Sequence, residues 1–108
     1  MNRGDIYLVR RPGAGDTRKR RAFVVVSRQP LIDSSFSMVI CAPIYSTRSG
    51  LSTQVDLGPE AGLKQESAIS CDELVSLQRG RLTDFIGTVP TARKDDLDHA
   101  LAVALGLA

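Results

Sequence analysis

Residues 20–27 read Arg20-Arg21-Ala22-Phe23-Val24-Val25-Val26-Ser27. Two cations lead directly into an aromatic and β-branched run. Such side chains pack well on a pleated surface, so the run favours extended backbone. Its apolar residues fall on both faces, as expected for a central strand buried on both sides. Ile6-Tyr7-Leu8-Val9 forms a first strand ahead of it. The intervening loop, Arg10 to Lys19, is broken by Pro12, Gly13 and Gly15. Downstream, a polar turn around Asp33-Ser34-Ser35 precedes an apolar run from Met38 to Ile44. Thr53 to Leu57 alternates, with Val55 and Leu57 on one face. Gly58-Pro59 to Gly62 reads as a turn. Short strands are expected over Ser67 to Cys71, Leu74 to Leu77 and Asp84 to Val89.

The tail changes period. After Pro90, Thr91 is placed to cap a helix. Leu97, Ala100, Leu101, Ala104 and Leu105 then recur at helical spacing. Asp95, Asp96 and Asp98 lie towards the helix start, where the dipole favours them. The expected fold is mainly β with a C-terminal α-helix: a small, strongly curved barrel or partly open sheet with the helix packed on it. With 108 residues there is room for one domain and one modest core.

Composition is that of a globular chain, 43% hydrophobic and 24% charged. No apolar run approaches the roughly 20 residues that span a bilayer. The segment Met1-Asn2-Arg3-Gly4-Asp5 lacks the apolar core of a signal peptide. A cytoplasmic protein is expected, with Cys41 and Cys71 as buried thiols rather than a disulfide. The net charge of +2 is unevenly placed. Residues 1–48 hold nine Lys/Arg against three Asp/Glu, and residues 49–108 hold five against nine. The basic half suits a polyanion; equally, a basic loop is often simply solvated.

The single histidine, His99, rules out a two-histidine ribonuclease and leaves a Ser-His-Asp triad without a nucleophile motif. It reads as a surface residue beside Asp98. One His and two Cys thirty residues apart do not have metal-site spacing, and no P-loop or dinucleotide fingerprint is present. The sequence therefore calls for no metal and no cofactor. Arginine, hydroxyls and a few carboxylates remain, and that set suffices to cut RNA. RNA carries its own nucleophile in the 2′-OH. The protein needs only to align the strand, stabilise charge on phosphorus and help protons move. A guanidinium suits that charge because its planar fork donates two bonds to phosphate oxygens.

The order of these segments resembles the MazF/PemK toxin family over residues 3–107. Arg3-Gly4-Asp5-Ile6-Tyr7 looks like the family's start, and Arg21 to Ser27 is similar to its Arg-Pro followed by an apolar strand. Ala42-Pro43-Ile44 with the hydroxyls after it looks like the family's Pro-Ile-Thr segment. Ser67 to Asp72 resembles the strand ending in Cys-Asp. Leu82 to Gly87, preceded by Arg81, resembles the late Arg-Leu-x-x-x-Ile-Gly piece, and the helix ending at Leu107 matches the family's last element. The resemblance implies an SH3-like barrel of the PemK/CcdB-like type and a homodimer. It implies a toxin of a type II toxin–antitoxin system. Its activity would be metal-independent, sequence-specific cleavage of single-stranded RNA, leaving a 2′,3′-cyclic phosphate and a 5′-hydroxyl. It also implies a cognate antitoxin whose acidic, disordered tail covers the active groove.

Carried over residue by residue, Arg21 matches the family's catalytic arginine, which binds phosphate and stabilises transition-state charge. The family threonine aligns with Tyr45, so Ser46 and Thr47 are taken jointly as the catalytic hydroxyls. Tyr45 is taken as an RNA contact that donates a hydrogen bond or stacks on a base. Asp16 matches an acid of the substrate loop, or is a solvated turn residue. Asp72 matches an acid in RNA or antitoxin contact, or caps the turn into Leu74. Two residues earlier, Ser70 stands where some members carry an arginine. Arg18, Lys19 and Arg20 are read as electrostatic capture residues for RNA or an acidic tail. Two alternatives stand beside the ribonuclease. One is a non-enzymatic toxin of the gyrase-poison type, acting through the C-terminal helix. The other is an SH3-like module that binds RNA or protein without cleaving.

Overall fold

The computed structural model describes residues 1–10 and 20–108. The expected basic loop therefore lies outside the described residues, save for Arg10 at its start. Among the described residues, seven strands make one antiparallel sheet: β1 (Asp5–Arg10), β2 (Arg20–Val25), β3 (Met38–Tyr45), β4 (Gln54–Leu57), β5 (Ser67–Ser70), β6 (Val75–Gln78) and β7 (Asp84–Thr88). Their lateral order is β4-β5-β3-β2-β1-β7, with β6 also paired to β3. β3 is long enough to take two partners in succession. Its first half pairs β6, with Val39 opposite Leu77, and its end pairs β5, with Ile44 opposite Ile69.

β2 is buried on both faces, as its composition foretells. Val24 packs into one cluster with Ile6, Ile44, Val55, Leu57 and Ile69. Val25, one residue on, packs into a second cluster with Tyr7, Val9, Val39, Cys41 and Leu77. Successive side chains point to opposite sides of a strand, so one apolar run serves two cores. The first cluster also receives the C-terminal helix α2 (Thr91–Ala104) through Leu97 and Ala100. Burying such a leucine side chain contributes about 1.5–3 kcal/mol. Leu101 and Ala104 are partly buried against the same cluster, while Leu105 is 59% exposed beyond the helix end. Arg3 fastens the helix to the start of the chain through Asp98 at 2.8 Å.

The sheet curls until its two edges meet. β4 and β7 are the outermost strands, and the turn after β4 lies against β7. A single 3-10 turn, Pro59–Ala61, ends at Gly62 with φ 91°. A Cβ at Gly62 would lie 2.1 Å from the Ile86 carbonyl oxygen, and one at Gly87 would lie 1.9 Å from that of Ala61. The two glycines thus let backbone touch backbone where the curl closes. This curled sheet with one C-terminal helix is the expected fold.

Some local expectations need correction. Thr91 is the first helical residue and not the cap. Pro90 takes that place at φ −58°, ψ 147°, with no side-chain cap bond. The Val89 N–H donates to the Gly4 carbonyl, which keeps the backbone extended up to the proline. A short helix α1 (Gln29–Ile32), started by Pro30, precedes the expected polar turn. It is held by Arg79, whose guanidinium donates to the carbonyls of Ile32, Ser34 and Phe36 at 2.9–3.3 Å. That contact spans more than forty residues, so no local pattern announces it. Among the described residues no helix is long and apolar enough to cross a membrane.

Candidate active site

Strand parity decides what Arg21 can do. On β2 it shares a face with Phe23 and Val25, while Arg20 points to the other side. Phe23 lies opposite Pro43, and continuing that antiparallel register by two residues brings Arg21 across from Tyr45. The side chains meet accordingly. The Arg21 guanidinium carbon lies 4.2 Å from the Tyr45 ring centroid. Such cation–π stacking is worth about 0.5–2 kcal/mol, depending on desolvation. Nη1 of Arg21 also donates to the Ile44 carbonyl at 3.3 Å. Among the described residues no carboxylate lies within ion-pair distance of Arg21. A guanidinium carries five N–H donors, so most remain open to an anion.

The phenol end of Tyr45 is anchored too. Its O–H donates to Glu73 Oε1 at 2.9 Å, and the hydroxyl of the buried Ser70 donates to Glu73 Oε2 at 2.9 Å. The neighbouring acid has another partner: Thr53 Oγ1 donates to Asp72 Oδ2 at 2.7 Å. Both acids sit on a 3-10 turn, Cys71–Glu73, directly after β5. The cap position of that turn is Ser70, without a side-chain cap bond, and Asp72 instead braces the residue just before β4 through Thr53. Tyr45, Thr47, Leu51, Ser70, Asp72 and Glu73 share the wall of a cleft of about 470 Å³. It is an open, polar cleft whose charged lining, Asp72 and Glu73, is acidic, with the Arg21 cation beside it on the Tyr45 ring. It suits a polar, extended ligand more than an enclosed apolar one.

The structure thus gathers Arg21, Tyr45, Thr47 and Asp72. Ser46 is exposed and does not line the cleft. Arg20 turns to the opposite face, where it pairs with Asp84 at 2.7 Å and borders a separate cleft with Leu8, Ala22, Leu63 and Ile86. Asp16, Arg18 and Lys19 lie outside the described residues. His99 is exposed on α2 and borders an adjoining groove with Arg93 and Asp96. Glu73 was not singled out from the sequence. The available signal is the Ser70-x-x-Glu73 spacing, that of a capping box. Here the two side chains bond each other directly.

Neither cysteine offers a thiolate at neutral pH. Burial pushes the Cys41 thiol up to about 12. Burial, and then the charge of Asp72, pushes Cys71 up to about 11. Both are free and buried, as expected. A buried neutral thiol is a poor nucleophile, which leaves the hydroxyls and carboxylates of the cleft, with Arg21 beside it, as the available chemical groups.

Relatives share both sequence and fold. The chain is 26% identical over 108 residues to the "Probable endoribonuclease MazF" of Mycolicibacterium smegmatis, covering 100% of this chain and 99% of the relative. The solved structure of the Mycobacterium tuberculosis toxin MazF-mt6 superposes with a TM-score of 0.82 at 26% identity, over 96% of this chain and 98% of that one. A mycobacterial endoribonuclease in complex with its cognate antitoxin gives 0.83 at 26% identity, over 98% and 95%. Residues 2–105 match the family model described as PemK-like, MazF-like toxin of type II toxin-antitoxin system, and the chain belongs to that family.

Proposed function

We propose that this toxin is an endoribonuclease that cleaves single-stranded RNA within short sequence motifs, without a metal ion. The 2′-OH attacks the adjacent phosphorus, leaving a 2′,3′-cyclic phosphate and a 5′-hydroxyl. The observation that carries this reading is the Arg21 guanidinium. It is stacked on Tyr45 beside the cleft and, among the described residues, has most of its donors open. Charge grows on the non-bridging oxygens as phosphorus becomes five-coordinate. A fixed planar donor is worth most there, because it needs no reorganisation at the moment of reaction. Thr47 supplies a hydroxyl on the cleft wall, and Ser46 lies beside it in sequence. Asp72 supplies an acceptor for base N–H groups. Arg18 and Lys19 act in capture, where each phosphate contact adds affinity that falls with salt. Arg20, paired with Asp84 on the opposite face, is left out of that role.

The protein acts as a homodimer. Exposed Phe36, Ile40 and Val75 provide apolar surface that a second copy would cover. Only monomer mass in light scattering at micromolar concentration would count against this. The partner in the cell is a cognate antitoxin with an acidic, disordered tail, which the basic first half of the chain suits by charge.

Purified protein is incubated with a long single-stranded RNA in EDTA, and the new ends are mapped. Discrete cleavage with 5′-hydroxyl ends is expected. Arg21→Ala should lower the rate by roughly 10²–10³-fold, as for loss of other charge-stabilising donors. Intact RNA with both proteins, and no harm to cells from either, would sink the reading. Growth arrest with DNA breaks and intact mRNA would point to the gyrase-poison alternative, and tight RNA binding without cleavage to the binding module.

A further inference from the structure

We propose that Glu73 is a positioning residue of the cleavage site. Its carboxylate holds the Tyr45 phenol and, through the Tyr45 ring, sets the plane of the Arg21 guanidinium. This rests on the ribonuclease reading given above. The contacts form one chain from a buried strand to the cleft: Ser70 to Glu73, Glu73 to Tyr45, Tyr45 to Arg21.

Each link has a physical reason. Ser70 is only 7% exposed on β5, so its hydroxyl is a fixed donor. The Cys71 N–H donates to the Thr53 carbonyl at 3.0 Å, which pins the backbone of the turn that carries Glu73. Both carboxylate oxygens of Glu73 are then engaged by hydroxyls, at 2.9 Å each. A tyrosine at the rim of a cleft would otherwise swing about its side-chain torsions, which are broad at the ring. Tethered at its far oxygen, the ring becomes a fixed platform. The Arg21 guanidinium lies on that platform at 4.2 Å, and the Ile44 carbonyl holds its edge at 3.3 Å.

The same geometry assigns Tyr45 its part. Its O–H proton is directed at Glu73, so the phenol serves Arg21 from below and is not the proton donor to the substrate. Asp72, next in the chain, is bonded to Thr53 and takes no part in the tether. A displacement of about 1 Å at a charge-stabilising group can cost up to roughly 10²-fold in rate. Loss of the tether should therefore appear in kcat and leave KM nearly unchanged.

A double-mutant cycle on the full chain tests this, with single-turnover cleavage of a single-stranded RNA as the readout. Tyr45→Phe and Glu73→Ala are each expected to lower kcat about tenfold, with KM within about twofold. The double variant should be no slower than either, because both remove the same link. Glu73→Gln should recover part of the loss, since its amide oxygen still accepts from the phenol. The pH–rate profile of Tyr45→Phe should keep the wild-type shape. Losses that multiply in the double variant, or a missing limb in that profile, would overturn the proposal.

A second measurement needs no activity. The Nε–H order parameter of Arg21 by NMR should be high in the wild type and clearly lower in Glu73→Ala, at unchanged urea stability. Equal order in the two proteins overturns the positioning role even if RNA is cut. A wild type that cuts no RNA defeats the ribonuclease reading instead, and the NMR comparison still judges the tether.

Discussion

Arg21 owes its place to being the second residue of β2. One position earlier, Arg20 carries the same charge and faces the other side of the sheet, bonded to Asp84. The side chain is half-buried, stacked on one face and held at one edge. A lysine there would keep the charge but lose the planar fork. Arg21→Lys is therefore expected to restore little of the activity lost in Arg21→Ala, remaining at least about 10²-fold below wild type in single-turnover cleavage. Rates within a few fold of wild type would mean that charge alone suffices. In the sequence the arginine stood out from its basic neighbours only through the family resemblance; the local pattern shows no more than a cation leading into an apolar run. Glu73 did not stand out, because its partner Tyr45 lies 28 residues away. Tyr45, where the resemblance implies a threonine, looked like a departure. In the folded chain it is the residue on which Arg21 rests.

Most strands could be read from the chain because alternation and β-branching are local. β4 bears Val55 and Leu57 inward as expected, and β2 shows the two-sided burial of a central strand. The helix start was placed one residue late: Pro90, with φ −58° and ψ 147°, already serves as the cap without a side-chain bond, and Thr91 is helical. Gly58 to Gly62 read correctly as a turn, but its purpose appears only in three dimensions, where Gly62 and Gly87 bring the turn against β7. Gly87→Ala places a Cβ 1.9 Å from a backbone oxygen, which no flexible side chain can relieve. The expected cost is at least about 3 kcal/mol, or failure to fold, beyond ordinary overpacking. Gly80→Ala, whose Cβ meets nothing within 4 Å, should stay within about 1 kcal/mol of wild type. Urea unfolding of the two variants checks the contrast; equal midpoints would refute the closure role.

At the scale of the molecule, one sheet carries two cores, and each holds a buried thiol: Cys71 on the helix side, Cys41 on the other. Both have folded-state values raised above the ordinary 9.0. The unfolded chain therefore loses these protons first as pH rises. Their stabilising contribution is whole below about pH 9 and is lost as pH climbs towards about 11 and about 12. Each thiol should weaken the fold by up to ~1.4 kcal/mol per pH unit in that window. Urea midpoints at pH 8 and pH 10.5 should fall steeply for the wild type and less for Cys41→Ala/Cys71→Ala; identical slopes would remove the thiols from the account. The sequence by itself determined most of the strands, the closing helix and the basic first half, because periodicity, composition and charge order are written along the chain. Only the tertiary structure decided which arginine stacks on Tyr45 beside the cleft and which acid the Tyr45 phenol bonds. Those depend on register and parity between strands distant in sequence, and a shift of one residue in either would turn every one of these side chains to the other face.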